Sequence, residues 1–265
     1  MSIPDYDIHV LNNLARYGQP GITLGIIDGL ESVIRYGVNG AITIASTPES
    51  VTNIGGVYTG FPASAETMTI VSDSTEDALG GTGAHYVELH GQDENGDMQE
   101  LVYALTGTTP VVTTEQWLRC CEAMCVNSAG STETNVGTIT LTHTTTTANV
   151  FGRIDPGKGV TKNALCAIPN GHYGWMNRAY VNAQNTATKD RGSCQLAVRF
   201  KPGLNQPWIE TFEFWIPNEL PQPLPFQGAL MLPPRSDFEF AIIDTDTNDM
   251  SFAAGFDLTV MRMLS

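Results

Sequence analysis

From residue 41 to residue 265 the chain is a train of short β-forming runs, and this pattern constrains the fold more than any other feature. AITIA (41–45), TMTIVS (67–72), HYVELHG (85–91) and MQELVYALTG (98–107) come first. TITLTH (138–143), ANVFGRI (148–154), CQLAVRF (194–200), IETFEFWI (209–216), FEFAII (238–243) and FDLTVMRML (256–264) continue the series. Each run is rich in β-branched or aromatic residues, and Gly, Pro, Asn, Asp or Ser bounds it. No long helical period lies between them, so a parallel α/β fold is excluded and a sandwich or barrel is expected. In 209–216 the alternation breaks once, which predicts a bulge.

One hairpin is legible locally. Asn95-Gly96 stands between the alternating runs 85–91 and 98–105. Asn-Gly accepts positive φ at both central positions of a type I′ turn, so antiparallel pairing of these runs is expected. Residues 113–126, TTEQWLRCCEAMCV, are ambiguous. Thr113 and Gln116 imitate a helix capping box. A strand with Leu118, Cys120, Met124 and Val126 on one side fits equally well. The Pro-rich stretch 217–234 reads as an extended crossover, because proline cannot donate a continuous ladder.

Residues 1–40 differ from the rest. Ile8, Leu11 and Leu14 are spaced for a short helix ended by Gly18 and Pro20, and Leu30 to Tyr36 offer a second short helical run. These apolar residues have no long partner nearby, so the segment is expected to be an extended arm that docks on another subunit. The organisation expected is therefore an arm over 1–40 and one jelly-roll-like β-sandwich over 41–265. Ile8, Leu11, Leu14, Ile22, Leu24 and Ile26 of the arm are the expected interface residues, together with Leu220, Leu224 and Phe226 of the Pro-rich stretch.

Charge narrows the partners. Only 15% of residues are charged, and 13 cationic against 28 acidic side chains leave a net −15. Nucleic-acid binding draws on cations that displace counterions, and anionic membranes attract basic patches, so neither partner is expected. No run approaches the ~18 apolar residues of a membrane span. The start, MSIPDYDIHV, lacks a basic region followed by an apolar one, so no secretory leader is expected.

The chain shows no convincing catalytic or metal-binding constellation. Cys120, Cys121, Cys125, Cys166 and Cys194 include no CxxC pair and read as small apolar residues of a reduced protein. His9, His85, His90, His143 and His172 form neither HxH nor HExxH and read as ordinary strand or surface residues. Asp93, Asn95 and Asp97 imitate the start of a calcium loop, but Gly96 stands fourth rather than sixth and no glutamate follows at the twelfth position. Asp73, Glu76 and Asp77 could pass for a glycosidase pair, yet chance pairs are expected among 28 acids. Gly80-Gly81-Thr82-Gly83 lacks the lysine of a phosphate loop. Trp175 and Trp208 are the candidates for sugar stacking, against a core role. The expectation is a non-enzyme without cofactor or metal.

Residues 70–140 resemble a module shared by virion structural proteins of tailed bacteriophages, notably marine and cyanobacterial ones, and of some large algal viruses. The blocks that carry the resemblance are Ser72 to Asp77, Gly81 to Ala84, Gly91 to Gly96, Gly107 to Val111, Leu118-Arg119, Ser128 to Ser131 and Asn135 to Ile139, in order and at matching spacing. PPRSDFEF (233–240) resembles the start of a later strand in the same proteins, and Tyr17 to Pro20 resembles an element of their arm. Cys120, Cys121 and Cys125 depart from the pattern, where Ile, Asn, Tyr or Val is usual. The resemblance implies that 113–126 is a strand, and it brings no catalytic residues. It also implies a place in a virion. The role expected from it is a homotrimeric decoration or cement protein bound to the major capsid protein or other virion proteins. A tail, collar or fibre component, or a carbohydrate-binding module, are the alternatives.

Overall fold

A computed structural model describes residues 29–42, 47–126, 134–185, 193–217, 221–224, 230–245 and 250–263. Among these no residue is helical. In chain order the strands are β1 (Leu30–Ile42), β2 (Glu49–Ser50), β3 (Glu66–Ser72), β4 (Tyr86–Gln92), β5 (Met98–Ala104) and β6 (Val111–Trp117). β7 (Arg119–Val126), β8 (Ile139–His143), β9 (Val150–Ile154), β10 (Leu165–Ala167), β11 (His172–Asn185) and β12 (Ser193–Lys201) follow. The last are β13 (Ile209–Pro217), β14 (Gln222–Leu224), β15 (Leu230–Leu232), β16 (Asp237–Thr245) and β17 (Met250–Arg262).

The all-β expectation holds, and the sheets are antiparallel. The single sandwich does not hold: the described residues build two, each with its own core. One pairs the sheet β1-β17-β11, with β14 and β15 on the far side of β11, against the sheet β10-β16-β12-β13, where β2 also joins β16. Phe238, Phe240 and Phe256 meet edge-on or tilted, with centroids 5.3–5.8 Å apart, and anchor its core. Each buried phenylalanine stabilises the fold by about 1.5–3 kcal/mol. The other sandwich lies between β2 and β10 in the chain. It packs β6-β3-β8-β9 on β5-β4-β7 around Met68, Leu89, Trp117 and Phe151.

The arm expectation is corrected at its end. Residues 30–40, including the run expected as a helix, belong to β1, which pairs with β17 from Leu30↔Met261 onward. Leu30, Val33 and Ile34 suit either period, and the partner that selects the strand lies more than 200 residues away. The segment 113–126 is strand, as the resemblance implies. A register shift between His90/Gly91 and Glu122/Cys120 sends Cys120 into the small core, while Cys121 faces away from that core and is buried beside the cleft lined by Arg35 and Cys166. The bulge expected in 209–216 sits opposite Val198/Arg199.

The β4–β5 hairpin forms, but not with a type I′ turn. Asp93 and Asp97 close it, and its one left-handed residue is Gly96, at φ +81°. The Asp93 carboxylate accepts from the backbone N–H groups of Asn95 (2.8 Å) and Asp97 (2.9 Å). This holds a three-residue loop that requires positive φ only at its last position.

Polar groups tie the two sandwiches together. Arg119 at the start of β7 donates from Nε and Nη2 to Asp237 at the start of β16, at 2.6 and 2.8 Å. Its Nη1 donates to the carbonyls of Pro62 and Leu118, and the guanidinium lies over Phe61. Both charged side chains are fully buried.

Candidate functional site

Motif residues from three segments between 72 and 139 converge on one buried carboxylate. Asp77 accepts from Ser72 Oγ at 2.6 Å and from the backbone N–H groups of Ala84, Val136 and Gly137 at 2.8–2.9 Å. Three of the quoted blocks therefore meet at this one side chain. Asn135 extends the hub by donating to the carbonyls of Gly137, Ile154 and Asp155. A carboxylate enclosed by four donors binds structure rather than substrate. Asp73 accepts from Thr138 N, and Glu76 from Thr82, so neither makes a glycosidase pair with it. The Leu118-Arg119 and Ser236-Asp237 blocks, 118 residues apart, are likewise joined, by the Arg119–Asp237 pair.

The other candidates disperse. His143 is buried between Trp117 O and Asn149, His85 contacts Gly81 O, and His172 contacts Asn170 O. All five cysteines are free, and burial pushes the Cys125 thiol up to about 12. Trp208 is half-buried against Phe61 and under Arg199, and Trp175 packs beside Tyr173. The expected interface residues Ile8, Leu11, Leu14, Ile22, Leu24, Ile26, Leu220 and Phe226, like His9, lie outside the described residues. Leu224 is buried in the core of the larger sandwich, on β14 against β11. Its side chain is committed to the chain's own core, so it is not a surface contact.

Apolar surface sits elsewhere. On the outer face of the first sheet, Tyr36 and Tyr180 flank Gly255 in one cross-strand row, with Ile34 in the next. All three are about half exposed. A Cβ at Gly255 would lie 2.8 Å from the Tyr180 ring, so the glycine lets that ring lie flat on the sheet. The edge strand β13 exposes Ile209, Phe212 and Trp215. Alternation in 209–216 marks a strand but does not say which face a second sheet covers.

The pairing also assembles a group that sequence reasoning passed over. β4 sets Glu88 and His90 on the outer face of its sheet, β5 places Glu100 directly opposite His90, and β7 places Glu122 on the other side. His90 Nε2 is 3.0 Å from Glu88 Oε1 and 3.9 Å from Glu100 Oε1, and Nδ1 is 3.9 Å from Glu122 Oε2. Arg35 Nη1 on β1 holds that Glu122 oxygen at 3.1 Å. Glu88 and Glu100 share a hydrogen bond, which lowers the Glu88 pKa and raises that of Glu100. The group borders a cleft of about 300 Å³ lined by Glu31, Arg35, His90, Glu100, Cys121 and Cys166, among others. A signal for it existed: with the hairpin closed at Asp93–Asp97, counting outward pairs residue 90 with residue 100.

No protein-family model matches the chain, and no curated protein matches it. Several solved structures similar to it are of virus particles. The T13 particle of infectious bursal disease virus is 10% identical over 97% of this chain and 78% of its own, with a TM-score of 0.25. The Gt strain of that virus is 11% identical over 89% and 72%, with a TM-score of 0.25. Its VP2 subviral particle is 10% identical over 89% and 73%, with a TM-score of 0.22.

Proposed function

We propose that this chain is a virion structural protein of the tailed-bacteriophage kind, a decoration or cement protein that binds the outer shell through subunit–subunit contacts. The observation that carries this reading is the fold role of the motif blocks. Five of the segments that carry the resemblance build the Asp77 hub or the Arg119–Asp237 pair, so that part of the resemblance follows architecture. No substrate chemistry is needed to explain these residues. The apolar rows on β1, β11 and β13 supply contact surface, since aromatic residues on an exposed face favour association. In this reading the chain works as a homotrimer without catalysis, its partners are further copies and the major capsid protein, and its place is the virion.

The test is sedimentation of the purified chain across a salt series, with Phe212→Ser/Trp215→Ser alongside. Three copies bring −45, and salt screens that repulsion beyond about 8 Å while apolar burial persists. Trimers should persist or strengthen as salt rises, and the double variant should weaken them while remaining folded. Monomers at every concentration, or dissociation by salt, would overturn the reading. A map of the particle that places the density in the tail or collar would replace decoration by the alternative.

A further inference from the structure

We propose that Glu88, His90 and Glu100 form a site for one divalent transition-metal cation of the zinc class, at the mouth of the cleft between the two sandwiches. Three ligating atoms, one imidazole nitrogen and two carboxylate oxygens, lie within 4.8 Å of one another. Metal–ligand distances near 2.0–2.2 Å place ligand atoms about 3.3–3.5 Å apart, so small rotamer changes complete the set. The ligands stand on two paired strands, which fixes their bases.

Two further observations separate this trio from an ordinary acidic surface. The second nitrogen of His90 faces Glu122, and Arg35 anchors Glu122 in turn. A carboxylate behind a histidine orients the ring and raises its basicity as a ligand. The trio also borders a cleft of about 300 Å³, which leaves room for water on the open side of a bound cation. The open positions of a three-ligand site require such a water.

The donor set selects the metal. Calcium and magnesium favour six or more oxygens, whereas imidazole with carboxylates suits zinc and its neighbours. Glu31, Glu88, Glu100 and Glu122 gather negative charge around the cleft against Arg35 as its cation. A cation there offsets that repulsion and leaves Glu122 free to hold Arg35, so the loaded ion braces β7 of one sandwich against β1 of the other.

The experiment titrates the full-length chain, stripped with chelator, with zinc alone by calorimetry. Cobalt then reports the ligands by its visible spectrum. One zinc per chain is expected, with a cobalt spectrum lacking thiolate bands and a melting temperature raised by zinc. Glu122→Gln should weaken zinc about 10–100-fold, as removal of an outer carboxylate does, and His90→Gln by more. Glu100→Gln, at an exposed position, gives a ligand variant that folds even if His90→Gln does not. Zinc affinity unchanged in both ligand variants, thiolate bands with cobalt, or preference for calcium over zinc would overturn the assignment.

Discussion

Replacing Arg119 by methionine should destabilise the protein more than any exposed substitution. The side chain makes four hydrogen bonds of 2.6–2.8 Å, two to Asp237 and two to main-chain carbonyls. Methionine fills much of the volume but leaves the buried Asp237 carboxylate without its guanidinium partner. Breaking a buried pair on one side costs about 3–5 kcal/mol. Set against a total stability of about 5–15 kcal/mol, that is a large fraction. At about 2–4 °C per kcal/mol for a chain of this size, the melting temperature should fall by roughly 6–20 °C. The pair bridges the two cores, so its loss should also uncouple them. Urea unfolding followed by tryptophan fluorescence and by circular dichroism should then give transitions that no longer coincide. Arg119→Met/Asp237→Asn removes the stranded charge and should be more stable than Arg119→Met alone. A single variant within about 1 kcal/mol of the parent would refute the reasoning, because the buried-pair penalty would then be missing. A double variant less stable than the single would refute it too.

Asp77→Ala strands three backbone N–H groups and Ser72 Oγ, and should cost about 3 kcal/mol or more in urea unfolding, at about 1 kcal/mol or more per lost donor. A cost below about 1 kcal/mol would show that water replaces the carboxylate. Glu66 accepts from Thr145 and Thr146, and these bonds lower its pKa from 4.5 to about 2. A depressed folded pKa means its contribution is present above pH 4.5 and lost as pH falls toward 2, so Glu66→Gln should flatten the acid limb of the melting curve. Cys125, pushed up to about 12, should react slowly with iodoacetamide at pH 8.5 in the native chain and quickly in urea. Equal rates would mean that the thiol is not held in the fold. Gly91→Ala places a Cβ 2.0 Å from the Arg119 carbonyl and should cost about 3 kcal/mol by forcing β4 and β7 apart.

The class of fold was legible because strand propensity and turn residues are local. Each run from 67 to 264 carries its own signal, and Asn95-Gly96 announces its hairpin without help from distant residues. The turn type was not legible, because the Asp93 side chain, not the Asn-Gly pair alone, selects the loop. The helix expected from Leu30 to Tyr36 is a strand, because its short apolar run suits either period until β17 offers a ladder from the other end of the chain. The division into two sandwiches leaves no mark on periodicity, since strands of both cores alternate alike. Leu224 and Trp215 show the same gap: apolarity says that a side chain seeks burial, and only the packing of the second sheet says which one achieves it. The Arg119–Asp237 pair and the Glu88–His90–Glu100 group are decided later still. Ionic and ligand geometry depends on register and on segments far apart in sequence, and a one-residue shift turns every side chain of a strand to the opposite face. Sequence by itself thus determined an acidic, all-β chain with one sure hairpin. Tertiary structure decided the partition of the cores, the surfaces left open and the side chains brought within reach of one another, because those follow from long-range pairing.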